Sequence, residues 1–186
     1  MKETLRLCAP LAAAILASAA QAAELPVGEK QITLSSSTQT IALGTVNFSG
    51  SGPTRQIIVK INDALLTGEF LSMRPFKCLE SPTRYYCAVP YPYAWTGVVT
   101  ADDLTDLEYA LLFVQKEPTA YGINLWQGVY YKLTLAAHGT ISGQLNEVDL
   151  DILAAPPKEN VMRPITQDML SPANPETQWL PSLTIK

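Results

Sequence analysis

Two cysteines, Cys78 and Cys87, are the residues with the clearest chemical role in this sequence. The segment between them contains the turn signal Ser81-Pro82, and the third cysteine, Cys8, lies in a predicted signal peptide. An even number of cysteines in an exported chain predicts a disulfide. A zinc site would need two more ligands, and a redox pair normally has Cys-x-x-Cys spacing. We therefore expect a structural disulfide that closes a loop of about ten residues.

His138 is the only histidine, so a hydrolytic triad or most metal sites would have to use it. It precedes a glycine in a predicted turn, and a local turn role is the simpler interpretation. Acid–base chemistry would then depend on carboxylates. The best group is "EVDLD", in which Glu147, Asp149 and Asp151 alternate and would share one face of a strand. Such a row could bind calcium or supply half of a glycosidase pair, and a solvated strand face is the plainer alternative.

The segment "YPYAW" at 91–95 concentrates aromatic side chains just after the cysteine pair. Its prolines favour an extended backbone and remove amide donors, which suits an edge or a protruding segment. Tyr91, Tyr93 and Trp95 offer large contact areas with little entropy to lose, so they are candidate binding residues for a sugar ring or a protein partner. Ordinary packing beside the disulfide is the competing interpretation.

Composition excludes several function classes. The formal net charge is −4, and without a basic stripe the chain is a poor candidate for binding nucleic acid or an anionic membrane. The sequence has neither Gly-x-Ser-x-Gly nor a phosphate-binding loop. We expect no cofactor and no resident metal.

Residues 1–22 have the features of a secretory signal peptide. Lys2 and Arg6 precede an apolar run at 11–20, and small residues ending at Ala22 supply a cleavage site. The apolar run is too short to span a bilayer as a helix. We expect a mature chain that is periplasmic or secreted and is not inserted in a membrane.

Alternating apolar residues predict strands from residue 41 onward. The alternation changes phase between 41–43 and 46–48, which predicts a β-bulge at Gly44-Thr45. A second strand at 55–62 carries β-branched residues on one face. These residues are Ile57, Val59 and Ile61.

A β-hairpin is predicted within residues 128–153. A three-residue loop, Ala137-His138-Gly139, would place Leu135 opposite Ile141, whereas a two-residue turn would place Leu133 opposite Gln144. The longer loop pairs apolar with apolar residues, and it gives its glycine the left-handed position. We therefore predict the longer loop.

Two further features are predicted along the chain. The apolar phase changes again after the hairpin loop, which predicts a second bulge near Asn146-Glu147. Residues 100–118 combine helical spacing with a continuous apolar run. We expect a helical turn over 101–107 followed by a buried strand.

The ends of the chain differ from its middle. Residues 23–40 resemble a loose leader, and 154–186 form a proline-rich tail with six of the 14 prolines. The tail is nevertheless too apolar for a disordered segment, so we expect it to pack on the domain in extended form. For residues 41–153 we expect a single antiparallel domain, either a β-sandwich or a small β-barrel, with one short helical turn.

The sequence thus predicts a periplasmic or secreted, non-catalytic binding or accessory protein of the cell envelope, with an unknown protein or carbohydrate ligand. One alternative is a carboxylate-dependent hydrolase of envelope polymers that uses Glu147, Asp149 or Asp151. Another alternative is a structural subunit of an envelope complex.

Overall fold

The computed structural model describes residues 23–70, 76–158 and 161–186. The predicted signal peptide, residues 1–22, lies outside the described residues and stays a prediction. The described chain is mainly β, with one antiparallel sheet that curls into a half-barrel and one α-helix. The predicted β class is therefore confirmed, while neither the sandwich nor the barrel is. Within these residues, no helix is long and apolar enough to cross a membrane.

Within the described residues, the regular structure consists of twelve strands, a five-residue α-helix and five short 3₁₀ helices. The strands are β1 (Gly28–Ser35), β2 (Thr40–Ser49), β3 (Thr54–Ile61), β4 (Gly68–Phe70), β5 (Phe76–Glu80), β6 (Tyr85–Ala88), β7 (Val98–Thr100), β8 (Phe113–Lys116), β9 (Gly128–Leu135), β10 (Ile141–Val148), β11 (Ser171–Pro172) and β12 (Ser182–Ile185). The helix, α1, is Thr105–Tyr109. The strands lie in the order β4-β5-β6-β8-β9-β10-β12-β1-β2-β3-β7, and β11 pairs with β10.

The segment expected to be a loose leader contains a central strand. β1 is bonded to β2 on one side and to β12 on the other, and Ile32 and Leu34 are fully buried. The expectation for residues 23–40 is therefore wrong over 28–35. Two alternating apolar residues are too few to predict a strand from the sequence alone. The strand forms here because two neighbouring strands supply its hydrogen bonds.

The C-terminal segment also enters the sheet. β12 lies between β10 and β1, and Leu183 and Ile185 are buried. Residues 182–185 are thus part of the sheet itself and not a tail lying on it. Three apolar residues of the same segment remain about two-fifths exposed, namely Val161, Met162 and Met169.

The first predicted bulge is present, one residue earlier than expected. The register between β1 and β2 shifts between Ile32 and Thr33, which leaves Leu43 as the extra residue. The next residue, Gly44, has to be a glycine because the backbone of β3 is very close to it. A Cβ atom at Gly44 would lie 2.1 Å from the carbonyl oxygen of Lys60, so only glycine fits.

The hairpin of β9 and β10 has the predicted register, with Leu135 opposite Ile141. Gly139 is left-handed as predicted, with φ +75°, and His138 is left-handed too, with φ +64°. The register runs without a shift to the end of β10. The second predicted bulge, near Asn146-Glu147, is therefore wrong.

The change of apolar phase in β10 arises because the sheet is covered on both faces there. Leu145 belongs to the larger hydrophobic cluster and Val148 to a smaller one. Residues an odd number of positions apart point to opposite faces of a strand. The adjacent residues Tyr130 and Tyr131 of β9 divide between the two clusters in the same way.

The ambiguous segment 100–118 has the predicted order of helix and strand. The helix begins later than expected, at Thr105, and the buried strand β8 follows it. The side-chain oxygen of Thr100 accepts a hydrogen bond from the Asp103 amide at 3.0 Å. This turn therefore precedes the helix and is not its first turn.

Candidate functional site

The predicted disulfide is present. Cys78 and Cys87 are directly opposed in the ladder of β5 and β6, and their sulfur atoms are bonded. Both residues are buried beside Val114. The disulfide thus links β5 to β6, the strand that leads into the aromatic segment at 91–95.

An open groove lies between the aromatic segment and β3. Its volume is about 410 Å³, and none of its lining residues is charged. The lining residues are Ile57, Ile58, Val59, Ile61, Pro90, Tyr91, Trp95, Tyr109 and Ala110. We call this feature the β3 groove. Because it is lined by consecutive residues from both faces of β3, it runs along the edge of that strand.

The groove exists because β7 covers only the first part of β3. The two strands pair over 54–56, and the Ile57 amide then donates to the carbonyl of Gly97 at 2.8 Å. Gly97 has φ +66°, a left-handed conformation that glycine adopts without a steric cost. The chain on the other side of Gly97 diverges from β3, so no described strand lies beside Val59 and Ile61 on this side.

Tyr91 and Trp95 line the groove in different ways. The Tyr91 ring packs edge-on against Tyr109, with centroids 4.8 Å apart, and its hydroxyl donates to the carbonyl of Met162. Burial raises the pKa of the Tyr91 hydroxyl above its ordinary value. Trp95 is 38% exposed, and no hydrogen bond involves its indole N–H among the described residues.

Tyr93, the third predicted binding residue, does not line the groove. Its hydroxyl donates to the carbonyl of Leu153 at 2.9 Å, and its ring packs edge-on against Tyr91 at 5.6 Å. Tyr93 therefore attaches the aromatic segment to residue Leu153 and supports the Tyr91 ring. The structure thus places Tyr91 and Trp95 in the groove lining, whereas Tyr93 contacts Tyr91 from outside the groove.

The far end of the segment is held by a buried carboxylate. Asp106 accepts hydrogen bonds from the Thr96 hydroxyl at 2.6 Å and from the Val98 amide at 3.2 Å. Arg163 pairs with the same carboxylate at 2.6 Å and with Asp103 at 2.6 Å. Partial burial acts to raise the pKa of Asp103, but hydrogen bonds from Arg163 and its own helix start outweigh it and lower this pKa to about 2.

A second buried carboxylate, Glu108, forms hydrogen bonds with residues of β9. It accepts hydrogen bonds from the Tyr130 hydroxyl and from the Leu133 amide, the latter at 2.8 Å, and it pairs with Lys132 at 3.1 Å. Burial first, and then the charge of Glu108, raise the pKa of Tyr130 well above its ordinary value. Glu108 thus stabilises the edge of β9 next to α1.

The carboxylates predicted to share a strand face do not do so. β10 ends one residue after Glu147, and Asp149 instead accepts the Asp151 amide at 2.9 Å and begins a 3₁₀ turn. Asp151 accepts from the Trp126 indole at 3.2 Å, and Glu147 from Gln178 at 2.8 Å. All three carboxylates are exposed. In the part of the chain that the structure describes, no group of three potential metal ligands occurs.

Ile58 is a groove residue that carries a signal in the sequence, although the strand pattern did not single it out. Ile58 lies between Gln56 and Lys60 on the polar face of β3 and is 58% exposed. A large β-branched residue on an otherwise polar face marks a surface that is not simply solvated. This signal becomes specific only in the folded chain, where Ile58 and Trp95 line the same groove.

No protein-family model, curated protein or solved structure matches this chain.

Proposed function

We propose that the protein is a non-catalytic binding protein of the cell envelope, periplasmic or secreted, and that the β3 groove holds its partner. The observation that carries this proposal is the presence of two exposed, large apolar side chains, Ile58 and Trp95, in one open groove. Apolar concave surfaces of this kind are the usual place for ligand or partner contact.

The groove is suited to binding because its wall is held in place before a partner arrives. Tyr91 and Tyr93 are bonded to backbone carbonyls, and Thr96 is bonded to the buried Asp106. A surface that is already ordered loses less conformational entropy on association. Trp95 and Ile58 supply the contact area, and the two tyrosines supply the rigidity.

The compartment is supported by the disulfide. Cys78 and Cys87 are bonded, and structural disulfides form and persist mainly in oxidising compartments such as the periplasm and the cell exterior. This agrees with the signal peptide predicted at residues 1–22.

The observations favour binding over the hydrolase alternative. That alternative depended on Glu147, Asp149 and Asp151 lying in one row, and their side chains do not form a row. Asp106 and Glu108 are buried and already paired with arginine or lysine. No observation specifically favours a structural subunit.

The proposal is tested with two sets of probes, a displayed library of random dodecapeptides and an array of immobilised glycans. Binders recovered with the wild-type protein are measured again with Trp95→Ala and Ile58→Ser. We expect each substitution to weaken binding at least tenfold, which is about 1.4 kcal/mol, and to leave the fold intact. Trp126→Ala is the matched control because Trp126 is 67% exposed and does not line the groove. Binders that ignore both groove substitutions, or no binder at all, would contradict the proposal.

A further inference from the structure

The exposed edge of β3 has a defined hydrogen-bonding direction. The Ile57 amide donates to Gly97 and the Asn62 amide to Leu43 on β2. Amides of alternate residues point to the same side of a strand, so those of Val59 and Ile61 point away from β2. They face the β3 groove together with the carbonyls of the same two residues. No hydrogen bond to these groups occurs among the described residues.

This edge offers donors and acceptors at the spacing of a β-ladder. A strand rises about 3.3 Å per residue, so the edge from Ile57 to Ile61 is about 13 Å long. An extended polypeptide supplies amides and carbonyls with the same two-residue repeat. A sugar ring has no such repeat, and the groove lining provides no charged side chain for its hydroxyls.

From these observations we infer that the partner binds as an extended polypeptide segment that adds a strand to β3, opposite Val59 and Ile61. The inference rests on the proposed function and names the class of its ligand. Main-chain hydrogen bonds to the amides and carbonyls of Val59 and Ile61 supply part of the affinity, and the apolar groove selects the side chains.

The side chains of β3 define the chemistry of the added strand. Val59 and Ile61 lie on one face of β3, and Ile58 and Lys60 lie on the other. Residues opposite one another across two strands share a face, so the segment carries apolar residues at alternate positions. Lys60 is exposed and forms no ion pair with the described residues. A carboxylate beside Lys60 is therefore favoured on that face.

A second copy of this chain is a poorer occupant than a free segment. Pairing of two folded sheets needs two edges that approach each other without obstruction. Here the edge of β3 lies along a groove whose opposite wall contains Pro90, Tyr91 and Trp95. In a symmetric pair, this wall would stand between the two β3 edges. A single extended segment needs room for one strand only.

The test uses dodecapeptides that are selected from the random library and then synthesised. In one arm, each backbone amide of a peptide is N-methylated in turn and its affinity for the wild-type protein is measured. An added strand predicts at least tenfold losses at alternate residues and small changes between them. A loss that shows no two-residue period would overturn the inference.

The second arm changes the protein. Val59→Pro removes one groove-facing amide, and proline is tolerated where an edge amide makes no ladder bond. We expect at least a tenfold loss of affinity, whereas Val59→Ala keeps the amide and should stay within about threefold. Unchanged affinity in folded Val59→Pro would overturn the inference. If Val59→Pro does not fold, the N-methylation arm on the wild-type protein decides alone.

The outcomes separate the inference from the proposed function. Peptides that need Trp95 but do not respond to N-methylation, or glycans that need Trp95 but do not respond to Val59→Pro, leave the groove as a binding site and overturn strand addition. Peptides that bind with a two-residue period but ignore Trp95 and Ile58 overturn the proposed use of the groove. A dimer that forms without peptide and is abolished by Val59→Pro would show that a second copy is the occupant.

Discussion

The amide of Ile57 donates to the carbonyl of Gly97, the residue before β7, at 2.8 Å, and among the described residues this is the last hydrogen bond along this side of β3. Beyond this pair the two chains separate, and the β3 groove begins between them. The left-handed backbone of Gly97 directs this separation. Gly97 thus marks the point at which the described pairing along β3 ends and the groove begins.

Replacing Gly97 should destabilise the protein through its backbone conformation and not through a steric clash. A Cβ atom at this position would lie 3.8 Å from its nearest neighbours, so Gly97→Ala should reduce the free energy of unfolding by about 1 kcal/mol through its left-handed backbone alone. Gly122→Ala is the control because its φ is not positive and the space around it is open. Chemical denaturation should show a change within about 0.5 kcal/mol for the control. Equal effects in the two variants would contradict this account.

Removing the disulfide should destabilise the fold. Cys78 and Cys87 close a short loop, and the chain-entropy model assigns such a loop roughly 2.5 to 3 kcal/mol. We expect the double substitution Cys78→Ser with Cys87→Ser to lower the free energy of unfolding by about that amount. Mass analysis of the unreduced mature protein should find neither thiol free. Two free thiols in oxidised material would refute the bond.

Truncation before Val161 should abolish cooperative unfolding. The deletion removes β12, which is bonded to both β10 and β1, together with the buried residues Leu183 and Ile185. Loss of a central strand leaves two exposed edges and an open core. Met169→Ala, a change at a partly exposed residue of the same segment, serves as the control and should barely move the melting temperature. A truncated protein that melts at the wild-type temperature is the contrary result.

The pairing of Asp103 with Arg163 should make part of the stability dependent on pH. The folded-state pKa of Asp103 is lowered to about 2 from its ordinary value of 3.8. The stabilisation of the folded state by the ionised Asp103 carboxylate is therefore fully present above about pH 4 and is lost as the pH falls through about 2. The effect is small because the carboxylate is nearly half exposed and solvent screens it.

Asp103→Asn provides the measurement of this effect. The difference in unfolding free energy between the wild type and Asp103→Asn should shrink as the pH falls from about 5 to about 2. Asp102→Asn is the matched control for removing a carboxylate because Asp102 is exposed and forms no ion pair with Arg163 among the described residues. A difference that is constant with pH would contradict the pairing.

Local patterns in the sequence predicted local structure well. The hairpin register, the left-handed Gly139, the disulfide and the order of helix and strand at 100–118 each depend on residues close together in the chain. In these cases turn chemistry and side-chain alternation carry enough information. The first bulge was located to within one residue for the same reason.

Features that depend on distant parts of the chain were missed. Ile32 is opposite Ile185 across β1 and β12, and no local pattern indicates that pairing. The predicted bulge in β10 failed because alternation cannot distinguish a bulge from a sheet that is buried on both faces. Tyr91 and Trp95 of the groove were among the candidate residues from the sequence, but the residues of β3 were not, because only the fold places Ile58 and Trp95 in one groove.

Residue-resolved amide hydrogen exchange of Val59 and Ile61 tests the free edge of β3 most directly. In the free wild-type protein we expect these two amides to exchange faster than those of Ile58 and Lys60, which point toward β2. Saturation with a selected dodecapeptide should slow Val59 and Ile61 and leave Ile58 and Lys60 nearly unchanged. Equal protection of all four amides in the free protein, or no slowing of Val59 and Ile61 in the complex, would contradict the account.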